Sequence, residues 1–163
     1  MIAAFAFVFA AILGPCWPPP VSAAVSQPFQ APACRWCAGH QALGYTVPSG
    51  TVVRAVAPGA VVFSGQVAGV GYVTLRHADG VRATYGGLRH TPTSPGQIIA
   101  QGQPIGVAAG LVTFSLRAGD RYLDPTGFLA RWRRRPSLVP TDSSRARAPS
   151  RVRLECLARV ASR

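Results

Sequence analysis

The chain contains no lysine: all 17 of its basic residues are arginine, against only five Asp and Glu. We assign this bias to genome composition rather than to a site. Charged residues make up 13% and apolar residues 48%, which excludes disorder in the central part because there is ample apolar surface to bury. The first apolar run, Met1 to Leu13, is shorter than the about 20 residues that a permanent bilayer-spanning helix needs. Histidine occurs three times, as His40, His77 and His90, so imidazole chemistry has few places to reside. At 163 residues the chain has room for one domain with a single core.

What is present divides the chain into three segments. Residues 1–24 read as a signal peptide or amino-terminal apolar anchor: the Met1 to Leu13 run is broken by Gly14-Pro15 and Pro18-Pro19-Pro20, and Val21-Ser22-Ala23 offers a small-x-small cleavage pattern. No Lys or Arg precedes the run, which points to a misplaced start codon or an unusual anchor, and Pro15 before Cys16 suits lipid modification poorly. Residues 25–130 read as a β domain. Residues 131–163 carry ten Arg against Asp142 and Glu155, a net of +8, and read as a basic, disordered tail with at most a short helix over 151–160. Such arginine runs attract polyanions by counterion release. For an exported protein these are anionic phospholipid head groups or wall polymers, so nucleic acid is not the expected partner.

The β assignment rests on a ladder of short Val-, Thr- and Tyr-rich runs separated by Gly, Pro and Asp-Gly turns between Gly39 and Leu129. Strands are expected over 51–56, 60–64, 72–77 and 81–85, with Asp79-Gly80 supplying a tight hairpin turn, and over 96–99, 103–106 and 110–117. In the last of these, the period-2 pattern puts Val112, Phe114 and Leu116 on a packing face and Leu111, Thr113, Ser115 and Arg117 on the opposite one. His77 shares the face of Val73 and Leu75 and is expected to be a hydrogen-bonded structural imidazole; Asp124 is expected in a turn or cap.

The ordered blocks carry a resemblance. Gly39-His40, Pro48-Ser49-Gly50-Thr51-Val52-Val53-Arg54-Ala55, the 59–63 strand, residues 71–80, Tyr85-Gly86-Gly87-Leu88, Gly96-Gln97, Gln101-Gly102-Gln103-Pro104-Ile105-Gly106, the 110–117 strand and Tyr122-Leu123-Asp124-Pro125 follow one another in a series. In this order they resemble the lysostaphin/LytM-type zinc metallopeptidases, which cut peptide cross-bridges in bacterial cell walls. The fold implied is an all-β, antiparallel β-sandwich of that peptidase type.

The same resemblance implies that the chemistry is largely missing. Peptide-cleaving members hold zinc with an H-x-x-x-D motif and the second His of an H-x-H strand, assisted by the first His of that strand and one in a Tyr-x-His-Leu segment. Here His40 keeps the first ligand, but Gly44 stands at the Asp position, Leu111 and Thr113 at the H-x-H positions, and Gly87 at the remaining His position. A catalytic zinc needs about three protein ligands and an open position. His40 alone is a vestigial ligand, and nothing in the sequence places His77, His90, Asp79 or Asp120 beside it. No cofactor is expected; zinc belongs only to an alternative with rewired ligands. His40, Tyr85, Thr113 and Arg117 are the candidate groove residues, with Tyr85 equally readable as an ordinary strand aromatic.

Cys34-Arg35-Trp36-Cys37 could be half a zinc ribbon, a redox pair or a local disulfide. In an exported protein the disulfide is the expected state. Cleavage after Ala23 or Ala24 would remove Cys16 and leave Cys156 over. One further possibility is a new metal site joining His40 to Cys34 and Cys37.

Three function classes are open on these residues. The first, and the one adopted, is an exported or envelope-associated non-catalytic module that binds peptidoglycan or regulates a wall hydrolase. The second is an active zinc endopeptidase with rewired ligands, and the third an adaptor acting through its arginine-rich tail.

Overall fold

The computed structural model describes residues 16–34, 36–133 and 153–156. The Met1 to Leu13 run and most of the arginine-rich tail lie outside the described residues.

Eight strands form one antiparallel sheet: β1 (Leu43–Thr46), β2 (Val52–Arg54), β3 (Gly59–Val67), β4 (Val70–Arg76), β5 (Arg82–His90), β6 (Ile98–Ile99), β7 (Pro104–Ala118) and β8 (Arg121–Leu123). Their order across the sheet is β1-β7-β5-β4-β3-β6, with β2 and β8 also pairing to β7. The long strand β7 organises the rest: its start pairs with β2, its middle with β1 and its end with β8, while β5 runs along most of its other side. The sequence splits this stretch at Gly106-Gly110, yet the structure runs through it as one strand of fifteen residues. Gly110, at φ 148°, holds a backbone angle that other residues avoid.

The alternation read from 110–117 sets the layers. Val112, Phe114 and Leu116 are fully buried, together with Val73 and Leu75 of β4 and Ala83 and Tyr85 of β5. The opposite face carries Tyr72, Thr74, Thr84, Thr113 and Ser115, all half-buried. The turn between β4 and β5 is held as expected, with the Asp79 Oδ1 accepting from Val81 N at 3.0 Å. Asp124 caps a 3-10 turn, Pro125–Gly127, by accepting from Thr126 N.

Residues on both sides of the expected boundary at 24 touch the β domain. Residues 17–30 pack onto the domain as an extended arm. Trp17 N donates to the Phe128 carbonyl and Ala130 N to the Trp17 carbonyl, Arg54 N donates to the Pro20 carbonyl, and Val21 enters the core at 4% exposure. Cys16, expected to leave with a cleaved leader, is disulfide-bonded to Cys156. A cut after Ala23 or Ala24 would remove these contacts. The physical reason is that Trp17 and Val21 have core-facing apolar surface to bury, while the Pro18-Pro19-Pro20 run holds the chain extended between them.

The tail also departs from the disordered or helical reading where it is described. Strand β9 (Arg131–Arg133) pairs antiparallel with β10 (Arg153–Glu155), and Glu155 stands opposite Arg131. The poorly capped 151–160 pattern therefore yields an extended segment over 153–155, because a paired strand satisfies backbone groups that a short uncapped helix leaves open.

Candidate binding groove

Strand register brings together the positions that the resemblance singled out. Gly44 pairs with Thr113, Thr113 with Gly86, Gly86 with Tyr72 and Tyr72 with Gly65, giving one cross-strand row on the solvent-facing side of the sheet. Gly87 lies against Leu111. His40 stands just before β1, half-buried, and exchanges backbone hydrogen bonds with Gln30. Its Nδ1 is 3.0 Å from the Pro28 carbonyl oxygen, which can only accept, so Nδ1 is the donor in this contact and Nε2 is the ring nitrogen left for other partners. Ligand imidazoles are commonly oriented in this way.

Two of the other positions, 44 and 87, are blocked by neighbouring atoms. Segment 26–30 runs along the free edge of β1: Ser26 N and Gln27 N donate to the Gly44 carbonyl, and Gly44 N returns a bond to the Gln27 carbonyl. This covers an edge that would otherwise expose unpaired backbone groups. It also puts the Gln27 side chain where a residue-44 side chain would project: a Cβ there would lie 2.8 Å from Gln27 Cβ and 2.9 Å from its Oε1. At Gly87 the backbone sits at φ +76° and a Cβ would collide with the Leu111 carbonyl oxygen. A histidine at 87 is incompatible with this backbone, and an aspartate at 44 would have to displace the Gln27 side chain. Among the described residues no group of three or more His, Cys, Asp and Glu lies together as a metal site. The donor set does not fit a catalytic zinc.

The remaining candidates separate. Thr113 is on the groove face beside Gly44, whereas Arg117 is at the far end of the same strand and pairs with Asp120 at 3.5 Å. Tyr85 is corrected: it is a core residue, 0% exposed, stacked at 5.2 Å on Phe114, with its hydroxyl accepting from Val56 N at 3.0 Å. Burial pushes its pKa up, with the Val56 hydrogen bond opposing. Its strand alternation with Ala83 already assigned it to the packing face. Tyr45, also buried, is pushed up to about 12 by desolvation. His77 is the structural imidazole expected, 2.7 Å from the Pro58 carbonyl and packed on Trp17 at a ring separation of 5.0 Å. Cys34 and Cys37 are disulfide-bonded to each other and so do not join His40 as thiolate ligands.

Two hollows flank this geometry. A largely apolar cavity of about 530 Å³ lies beneath the arm, lined by residues such as Ala23, Leu43, Tyr45 and Leu129. A polar cleft of about 400 Å³ opens on the groove face around Thr74, Thr84, Ser115 and Arg117.

Residues 38–125 match the model of Peptidase family M23. The chain belongs to that family. This M23 chain is 32% identical over 128 residues to an uncharacterized protein of Mycobacterium tuberculosis, covering 71% of this chain and 50% of that protein. It therefore spans about half the length of the curated relatives it matches. Among solved structures its fold is similar to Csd3 of Helicobacter pylori, with 24% identity, TM-score 0.63, and 71% and 33% of the two chains covered. It is similar also to the SpoIIQ-SpoIIIAH pore forming complex, with 19% identity, TM-score 0.62, and 71% and 91% covered. These likenesses establish the lysostaphin-type β fold and leave the M23 chain's activity to its own residues.

Proposed function

We propose that this protein is an exported, non-catalytic M23 module of the cell envelope that binds the peptides of peptidoglycan or regulates their hydrolysis by another enzyme. One observation carries the reading: Gln27 occupies the space over Gly44, where the missing zinc-ligand aspartate would project, and the Leu111 carbonyl lies against Gly87, where an assisting histidine would stand. A site that had merely lost its donors would be open at both positions. Here both are blocked, while Thr113 and the sheet face beside it stay accessible.

Export is supported by the disulfides Cys16–Cys156 and Cys34–Cys37, since such bonds persist in oxidising compartments. A binding role has a precedent for this fold in the SpoIIQ-SpoIIIAH complex, where a similar chain works in an assembly. The arginine-rich tail supplies a second, less specific contact with anionic polymer or a membrane surface, nucleic acid not being an intended ligand.

The test uses the full chain with its disulfides intact, incubated with purified peptidoglycan sacculi in the presence of zinc. The expected result is retention on the sacculi with no release of soluble wall fragments or new amino groups. Zinc-dependent release would establish the rewired endopeptidase instead.

A further inference from the structure

We infer that the end of the groove face farthest from His40 is a recognition subsite for the free carboxylate of a short peptide; the inference rests on the wall-peptide reading above. The sheet register places Arg76 opposite Arg82 and Arg82 opposite Arg117, so three guanidinium-bearing residues form a row across β4, β5 and β7 on the solvent-facing side. Like charges directly opposite one another destabilise a strand pair. Among the described residues the one ion pair in this row is between Arg117 and Asp120, whose side chain is fully exposed. A row of three arginines with one exposed acidic partner, on a chain with only five acidic residues, calls for an external anion.

The next row inward makes that anion site polar and shaped. Thr74, Thr84 and Ser115 face one another across the same three strands, and the Thr74 and Thr84 hydroxyls are 3.1 Å apart. Arg82 and Arg117 join these hydroxyls in the cleft of about 400 Å³, with Phe63 and Tyr122 as walls. Guanidinium forks and hydroxyl donors match a carboxylate in geometry as well as charge. The Arg117 Nε donates to the Gly119 carbonyl at 2.8 Å and its Nη2 faces Asp120, which fixes the guanidinium and leaves Nη1 for a ligand. Arg76 stands outside the lining and contributes potential only.

The surroundings favour a peptide over a bare polyanion. Phe63 and Tyr122, 40% and 38% exposed, offer apolar contact that a phosphate polymer does not use. Inward from the hydroxyls, the Tyr72 ring and Thr113 Oγ1 cover Gly86, and Gln27 covers Gly44, so the inner row walls off the cleft. A peptide end seated against that wall with its carboxylate on Arg82 and Arg117 satisfies both charge and shape.

The experiment measures binding of a fluorescently labelled Lys-D-Ala-D-Ala peptide to the full, disulfide-intact chain, beside the same peptide with its carboxyl end amidated. The acid is expected to bind at least about tenfold more tightly than the amide, the ratio for losing a charge-assisted hydrogen-bond pair. The double variant Arg82→Gln, Arg117→Gln should reduce the acid to the amide's affinity without lowering the melting temperature, while Arg76→Gln changes affinity by no more than about twofold. Equal binding of acid and amide, or an unaffected double variant, would overturn the inference. So would displacement of the peptide by inorganic phosphate at the peptide's own dissociation constant, which would make this a phosphate site. If sacculi are retained but acid and amide bind alike, the subsite fails and the wall module stands. If acid-selective binding is lost in the double variant but sacculi are never retained, the subsite stands and the wall module fails.

Discussion

Gly87 and Gly44 are the residues on which the reading turns, because glycine there is a packing requirement as much as a missing ligand. At Gly87 a side chain meets both a left-handed φ of +76° and the Leu111 carbonyl. Gly87→His is expected to destabilise the fold by on the order of 3 kcal/mol, combining backbone strain with overpacking. Gly44→Asp should cost about 1–3 kcal/mol, and adding Gln27→Gly should recover most of it, since all three atoms it meets, Cβ included, belong to the Gln27 side chain. Chemical denaturation of the single and double variants checks both expectations; Gly87→His at wild-type stability would show that the backbone can reopen. The substitutions at 44, 87, 111 and 113 were legible in the sequence by their place in the series of blocks. The Gln27 plug was not, because nothing local says that a segment well before His40 will lie along β1. Tyr85 went to the core for a reason visible in its alternation with Ala83, which the likeness to a groove tyrosine obscured.

At the scale of elements, the arm over 17–30 is the feature that sequence reading missed. Its partners, Phe128, Ala130 and Gly44, are distant along the chain, so no local pattern announces them. Strand β1 was missed as well: four residues containing Gly44 give too short a run for period-2 counting, and its pairing with β7 decides it. The Asp79-Gly80 hairpin and the faces of 110–117 were legible because turn chemistry and alternation are local. The clasp Cys16–Cys156 closes a separation of 140 residues, and constraints on long loops contribute most to stability. Cys16→Ser is expected to lower stability by about 2–4 kcal/mol and to raise hydrogen exchange at Trp17 and Val21. A melting curve with exchange mass spectrometry reads both. Unchanged protection at Trp17 would mean that the arm's apolar contacts with His77 and Phe128 suffice without the clasp.

For the whole molecule, the M23 fold was readable from the order of its turns and strands, because Gly, Pro and Asp-Gly positions fix where a β chain reverses. Its chemistry depends on a few side chains that can be lost while every turn is kept. The protein keeps the sheet, one imidazole and a polar outer face, and covers the lost aspartate position with its own arm. The central claim is that this closed site holds no metal. The most direct measurement is zinc content by mass spectrometry of the full, disulfide-intact chain after zinc loading and buffer exchange, with His40→Ala alongside. Far less than one zinc per chain is expected, with no difference between the two proteins, since a lone imidazole is one of the about three ligands required. About one zinc per chain, lost in His40→Ala, would contradict it.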